Sequence, residues 1–556
     1  MSGRWAWRPT LSTEVLALLA SLYFAVASSR LFWQAAMHGR DSMAIASWKF
    51  GALLLVVLVC AHLCLLCLVL SRWTTHVLLT VLFVTTALAT HFMQAYGVYM
   101  DPGMLRNVLH SEPKEATDLL GLQLFRHLLV EGLPPILLLW AVQIRKSRFR
   151  IAVARRLGTF TLSACLLLIA VVLGYQDLAT LSRNQKEARY LITPANYVYS
   201  LTRALATDVS TEPRPLLQVG ADAQLAAGWA SRGKPVLFVI VVGETARSAN
   251  WGLNGYARQT TPELSRLDVI NFPNVTSCGS DTETSVPCMF SAIGRRHYDE
   301  SRIRRSESLL HVLHRAGFSV LWRDNQTGCK GVCAGLDFEQ VDRLQAERCA
   351  PGNCLDEVLL EGLQSFVQRD TGNKVVVLHQ LGNHGPAYHH RYPAAFRQFI
   401  PTCDTGEIRK CSVEQIVNSY DNALLYTDHF LARTIAFLRE QEGSYDTALL
   451  YVSDHGESLG EKGLFLHGIP YAIAPQVQVR VPMVLWLSPG MREASSLNES
   501  CIRDRADTQL SHDHLFHTVL GLLKIETSAY EPAYDFVDGC QIHRLAKATG
   551  GNAIHR

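Results

Sequence analysis

Asp454 and His455 stand side by side where an apolar run, ALLYVS at 448–453, stops abruptly at Asp454-His455-Gly456-Glu457. The run predicts a buried strand. Chemistry is expected at its carboxyl end, because open α/β sheets bind ligands there and an adjacent carboxylate and imidazole suit a zinc ion. Taken alone, Asp-His-Gly is also an ordinary turn. Other predicted strands end in the same kind of residue, however. PVLFVIVVGE leads to Glu244 in Gly243-Glu244-Thr245-Ala246-Arg247, KVVVLHQLGNHG carries His379 and His384, and His467 follows in FLHGIPY. Convergence of these ends would gather Glu244, Asp454 and His455, with His384 and His467 close by, a set that packing does not explain.

A second stretch, Ser277–Phe290 (SCGSDTETSVPCMF), is a small-residue loop opening a helix. Plain N-capping accounts for its Ser and Thr residues. The functional alternative makes one hydroxyl a nucleophile at a helix N-terminus, where the dipole favours an attached phosphoryl group. His512-x-His514-x-x-His517 has metal-like spacing, but Ser511 caps an amphipathic segment running through Leu523, so this cluster is expected to be structural. His389 and His390 are assigned to a solvated loop.

The elements that must position these residues begin at Lys234. FSVLWRDN and VRVPMVLWLSP join the strands above, mostly as apolar runs of the buried parallel kind. Helices are expected at Ser306–Ala316, Asp356–Gln368, Ile416–Glu442 and Ser511–Leu523. Residues 234–556 thus predict a three-layer α/β domain. Residues 177–233 form a helical connector and a Pro- and Gly-punctuated linker. Residues 1–176 hold five apolar spans, near 14–36, 50–70, 75–97, 124–143 and 157–175, each long enough to cross a bilayer. No signal-peptide cleavage pattern precedes the first.

Arg145, Lys146, Arg148, Arg150, Arg155 and Arg156 crowd the loop between the fourth and fifth spans, which the positive-inside rule makes cytoplasmic. Arg4, Arg8 and Arg72 fall on the same side. Five crossings leave everything after about Gln176 extracytoplasmic. The loop at 99–122 is then also outside, and places Asn107, Ser111 and Glu115 at i, i+4, i+8 spacing on one helix face at the headgroup level. A solvated interfacial helix is the plainer account of that face. Of the fourteen cysteines, Cys60, Cys64, Cys67 and Cys165 lie in apolar spans. The others come as neighbours, Cys278/Cys288, Cys329/Cys333, Cys349/Cys354 and Cys403/Cys411, with Cys501 and Cys540 remaining. An oxidising compartment favours disulfides among them over a zinc knuckle, although sequence leaves the connectivity open. A net charge of +3 without a basic groove interleaved with aromatics argues against a nucleic-acid partner.

The motifs GETAR at 243–247, TSCGSDTETSVPCMF at 276–290, GNHGPAY at 382–388 and SDHGESLGEKGLFLHG at 453–468, with five amino-terminal spans, resemble the lipid A phosphoethanolamine transferases. That family includes the mobile colistin-resistance enzymes and belongs to the alkaline phosphatase and sulfatase-like superfamily. The resemblance covers nearly the whole chain. It implies a bacterial inner-membrane protein with a periplasmic catalytic domain, acting as a monomer among membrane lipids. By resemblance, Thr282 is the nucleophile, and Glu244, Thr282, Asp454 and His455 hold one tightly bound Zn²⁺. His384 and His467 match positions for a second zinc or the substrate phosphate, with His379 assisting. Lys330 matches a phosphoethanolamine contact, and Asn107 and Glu115 match headgroup-binding positions. Ser111 stands where the family commonly has Thr. Asp281 and Glu283 bring more negative charge beside the nucleophile than the family leads one to expect.

The implied reaction is ping-pong: Thr282 takes phosphoethanolamine from phosphatidylethanolamine and passes it to a lipid A phosphate, lowering susceptibility to polymyxins such as colistin. The chemistry agrees, because a free threonine hydroxyl is a poor nucleophile near neutral pH and zinc lowers its pKa. Alternatives are the same donor with core sugars or periplasmic glucans as acceptor, a glycerophosphate transferase, or a zinc-retaining membrane-anchored binding protein. Thr282 disfavours the last, since a receptor needs no hydroxyl there.

Overall fold

Each apolar span is helical in the computed structural model, which describes residues 9–38, 40–41, 43–110, 121–209, 215–230, 232–341, 349 and 354–541. α1 (Thr13–Ser28) and α2 (Arg30–Met37) meet at a 61° bend; α3 (Ile45–Val69), α4 (Thr75–Tyr96), α5 (Pro102–His110), α6 (Leu122–Ala141) and α7 (Phe149–Leu173) follow. Among the described residues α3, α4, α6 and α7 are each long and apolar enough to cross a membrane, and the bent pair makes a fifth crossing when counted as one span. The bend falls at Ser28-Ser29, whose hydroxyls donate to the Phe24 carbonyl at 3.0 and 2.9 Å, competing with the helix ladder. Leu157, Leu162, Leu168 and Val172 on α7 stay more than half exposed, as expected of a lipid-facing surface. A two-residue parallel ladder joins Thr10–Leu11 to Gln143–Ile144, so the segments that the charge rule puts on the cytoplasmic side lie together.

These helices belong to one of two compact units, made of residues up to Glu212 together with Gly460–Ala472. α5, which carries Asn107, packs on the helix Ala195–Val209. Ser111 and Glu115 lie outside the described residues. Gly97 ends α4 in the left-handed region at φ 74°, and a Cβ there would meet Leu464 Cδ2 at 3.0 Å, so the segment bearing His467 rests against that helix end.

The second unit, Pro213–Leu459 with Ile473 onward, is built on one eight-stranded sheet. In chain order the strands are β1 (Val236–Gly243), β2 (Ile270–Thr276), β3 (Ser319–Asp324), β4 (Asp337–Gln340), β5 (Lys374–His379), β6 (Asp446–Ser453), β7 (Arg480–Leu487) and β8 (Leu510–Ser511). Their spatial order is β8-β2-β7-β6-β1-β5-β3-β4. Every residue of β1, β5 and β6 is buried, which is why they read as continuous apolar runs. The helices α8 (Thr282–Met289), α9 (Leu309–Arg315) and α11 (Asp513–Leu522) pack on the face carrying Phe238, Ile240 and Val242. α10 (Val413–Glu440) packs against β6 without joining that cluster, and so covers the other face.

The sheet is mixed, which corrects the parallel expectation for VRVPMVLWL: β7 runs antiparallel to both β6 and β2. No crossover helix of useful length lies between Asp454 and Val479, so the chain re-enters the sheet from the end at which it left. Pro482, lacking an N–H, sits at a register shift in this strand. β2, β4 and β8 escaped the sequence reading because they are short or contain Pro273 and polar residues.

Five disulfides form, Cys278–Cys288, Cys329–Cys333, Cys349–Cys354, Cys403–Cys411 and Cys501–Cys540, while the four cysteines of the apolar spans remain free. Cys501–Cys540 closes the longest loop, with a sequence separation of 39. Replacing both of its cysteines with serine is expected to cost roughly 3–4 kcal/mol, seen as a melting temperature several degrees lower for the full-length protein in detergent. An unchanged melt would show that this bridge carries no stability.

Candidate active site

Register brings the functional strand ends together. His379 pairs with Val242 on one side and Asp324 on the other, and Gly243 pairs with Ser453. Glu244, Asp324, His379 and Asp454 therefore emerge at one edge of four adjacent parallel strands. Among the described residues one trio of His, Cys, Asp or Glu side chains brings its ligand atoms within 4.8 Å of one another: Glu244, Asp454 and His455, all buried. His455 Nε2 lies 3.4 Å from both Glu244 Oε1 and Asp454 Oδ2. Thr282, the first residue of α8, points its hydroxyl into this group, 3.1 Å from Glu244 Oε2 and 3.3 Å from His455 Nε2.

The surroundings fix each ligand atom. His455 Nδ1 donates to the Gly456 carbonyl at 2.9 Å, which turns Nε2 toward Glu244 and Asp454. Asp454 Oδ1 accepts from the backbone N–H groups of Thr245 and His455 at 3.1 and 2.7 Å, whereas Oδ2 is buried without a hydrogen-bond partner. Glu244 Oε2 also accepts from Gln326 Nε2 at 2.9 Å. Thr245 holds a left-handed φ of 61°, an uncommon conformation for a β-branched residue, and Tyr420 clamps it by donating to its carbonyl at 2.7 Å. A Cβ at Gly382 would fall 2.8 Å from the Glu244 carbonyl oxygen, so only glycine lets the GNHG loop close on that backbone.

Burial and the neighbouring Glu244 carboxylate push Asp454 up to about 7. Burial alone would lower His455, but Asp454 and Glu244 outweigh it and raise the imidazole to about 10. Burial lifts Glu457, which accepts from the Tyr388 hydroxyl at 3.0 Å, to about 8. Crowded negative charge that holds protons near neutrality, an orphaned carboxylate oxygen and a fixed imidazole nitrogen together suit a divalent cation.

His384 lies on the loop after β5, where its carbonyl accepts from Arg391 Nε at 2.7 Å, and it bears electrostatically on Glu457. His379 is fully buried; Nδ1 pairs with Asp324 Oδ2 at 2.8 Å, and Nε2 has no hydrogen-bond partner. Lys330 Nζ reaches Glu283 Oε1 at 2.8 Å. His467 is placed with the first unit, on Gly460–Ala472. Asp324, Gln326 and Asp356 were missed in the sequence. Asp324 was findable, since it ends the strand in FSVLWRDN as Glu244 ends its own. Asp356, which accepts from the N–H groups of Leu381 and Gly382 at 2.8 and 2.9 Å, carries no local signal.

His512 does structural work. It accepts from Cys278 N at 3.1 Å through Nδ1 and donates to the Ser453 carbonyl at 3.0 Å through Nε2, tying the Thr282 loop to the end of β6. An unfolded imidazole titrates near 6.5, and burial brings His512 down to about 3. Between those values the unfolded state binds the proton and the folded state does not, so His512 costs stability as pH falls below about 6.5. His512→Gln, which keeps an acceptor and a donor, is expected to lose on the order of 3 kcal/mol less than the wild type between about pH 7 and pH 4. Thermal scans at the two pH values check this; parallel losses would contradict it.

The sulfatase family profile matches residues 237–525, and the phosphoethanolamine transferase EptA/EptB profile matches residues 57–209. Phosphoethanolamine transferase EptA of Escherichia coli strain K12 is 37% identical over 537 residues, covering 96% of this chain and 98% of that protein. Phosphatidylethanolamine transferase Mcr-1 of Escherichia coli is 36% identical over 507 residues, covering 89% and 90%. The solved structure of the integral membrane protein lipooligosaccharide phosphoethanolamine transferase A (EptA) from Neisseria meningitidis matches with a TM-score of 0.90 at 35% identity, covering 96% of this chain and all of that one. With a buried acid–imidazole site around one threonine, a sulfatase-type domain and membrane spans, the chain belongs to the phosphoethanolamine transferase family.

Proposed function

We propose that this transferase takes phosphoethanolamine from phosphatidylethanolamine and gives it to a phosphate of lipid A, with Thr282 carrying the group between them. The observation that carries this reading is the Thr282 hydroxyl, held 3.1 Å from Glu244 Oε2 and 3.3 Å from His455 Nε2 at the first residue of a helix. The donor is supported by the name of the Mcr-1 relative, and an acceptor that carries lipid A by a relative 28% identical over 487 residues, the Kdo(2)-lipid A phosphoethanolamine 7''-transferase of Escherichia coli strain K12.

Glu244, Asp454, His455 and Thr282 would hold one Zn²⁺, which when bound would ease deprotonation of the threonine hydroxyl and offset charge on the phosphoryl oxygens. The remaining steps belong to the chain. Thr282 Oγ1 gives up its proton and attacks phosphorus, the phosphorus–glycerol oxygen bond breaks, and diacylglycerol leaves with a proton delivered to its oxygen in place of the one Thr282 lost. The dipole of α8 favours the phosphodiester that Thr282 then carries. An acceptor phosphate oxygen attacks the same phosphorus and returns Thr282 to the free hydroxyl. His384 and His467 are assigned to proton transfer or to the phosphate of either substrate, and to any second zinc, with His379 in support. Lys330 is assigned to the donor phosphate, and Asn107, Ser111 and Glu115 to the lipid headgroup. We take the transferase to act as a monomer, as the family resemblance implies.

Mass spectrometry of lipid A from cells expressing the protein is expected to show added phosphoethanolamine, and Thr282→Ala to reduce it at least ~100-fold. No addition by the wild type would overturn the acceptor, and equal addition by both would overturn the nucleophile. Colistin tolerance should rise with the wild type alone, because an added amine offsets phosphate charge that attracts the cationic peptide. Unchanged killing despite confirmed modification would contradict that link. Purified protein is expected to carry about one zinc and Glu244→Gln to lose most of it, as elemental analysis would show.

A further inference from the structure

Glu283 follows Thr282 directly, yet it does not behave as an ordinary first-turn carboxylate. Such a residue would face solvent and offset the helix dipole. Glu283 is buried and meets two cations from separate segments: Lys330 Nζ at 2.8 Å from Oε1, and Arg304 Nη2 at 3.3 Å from Oε2. Arg304 Nη2 also donates to the Glu283 carbonyl at 2.8 Å, and Arg304 Nε pairs with Glu300 Oε1 at 3.2 Å.

Lys330 sits inside the Cys329–Cys333 ring with a left-handed φ of 51°, and its Nζ also donates to Thr327 Oγ1. A disulfide, a strained backbone and an ion pair all act to hold one ammonium in place. The same loop touches Glu244 through Gln326, so its two ends meet Glu244, 3.1 Å from the Thr282 hydroxyl, and Glu283, the residue after Thr282.

On the transferase reading above, we propose that Glu283 is a positioning residue: its carboxylate pre-orders the Lys330 ammonium beside Thr282 to receive a phosphoryl oxygen of the donor. A lysine stem is flexible, and a partner that fixes it before substrate arrives lowers the ordering cost of binding. Arg304, on the other carboxylate oxygen, ties Glu283 to Glu300 and so braces the fold around it. Acting through Lys330, Glu283 bears on donor affinity rather than on the chemical step.

The test uses the full-length zinc-loaded protein in detergent, with soluble phosphoethanolamine titrated calorimetrically and phosphatidylethanolamine turnover measured beside it. Glu283→Gln is expected to weaken phosphoethanolamine Kd and raise KM for the lipid about tenfold, with kcat within about threefold. Lys330→Gln should do the same, and the double variant no worse than Lys330→Gln alone. Glu283→Asp should fall between, and it serves in place of Glu283→Gln should that variant not fold. Arg304→Gln, which leaves the partner of Lys330 in place, should lower the melting temperature with Kd within about twofold. An unchanged Kd in Glu283→Gln, multiplying effects in the double variant, or an equal loss of Kd in Arg304→Gln would each overturn the proposal. Absence of lipid turnover by the wild type would sink the transferase reading instead, while the titration would still decide the role of Glu283.

Discussion

Two carboxylates and an imidazole are buried together, and the catalytic unit is organised around that charge. Glu244, Asp454 and His455 are each at most 1% exposed. Buried ions of like sign are tolerated only when compensated, and backbone donors to Asp454 Oδ1 and the Gln326 amide on Glu244 supply part of what is needed. The rest is proton uptake, visible in the raised Asp454 and His455, or a cation. The Thr282 hydroxyl stands at the centre of this imbalance, so whatever neutralises the acids also sets the reactivity of the alcohol.

Holding such a site requires a frame that cannot relax. The acids sit on adjacent, fully buried parallel strands, and the loops beyond them are fastened to one another. His512 bridges Cys278 and Ser453, Ser285 donates to the Asp454 carbonyl at 2.5 Å, and Asp356 fixes the backbone of Leu381 and Gly382. Cys278–Cys288 and Cys329–Cys333 close the two loops that approach Thr282. Disulfides of this kind require an oxidising compartment, which agrees with the arginine-rich side of the helical unit facing the cytoplasm.

Much of this was legible in the residues. Apolar runs that end in Glu244, His379 and Asp454 mark strands and their chemical ends at once, because a strand buried on both faces has no polar alternation to obscure where it stops. The five spans and the oxidising side followed from length and from arginine placement. The antiparallel β7 was not legible: buried strands of either direction look alike, and direction depends on how the chain returns. Nor were Gln326 and Asp356, whose importance lies in partners 25 to 82 residues away. Glu283 reads in the sequence as added charge beside Thr282, but its pairing with Lys330 and Arg304 is a property of the tertiary fold alone.

X-ray absorption at the zinc edge of the purified full-length protein tests the central claim most directly. The account predicts bound zinc surrounded by oxygen and nitrogen, with the signature of a single imidazole and no sulfur, because Glu244, Asp454, Thr282 and His455 form the set. Sulfur bound to the metal, several imidazoles in protein carrying one zinc per chain, or a protein that retains no zinc would contradict it.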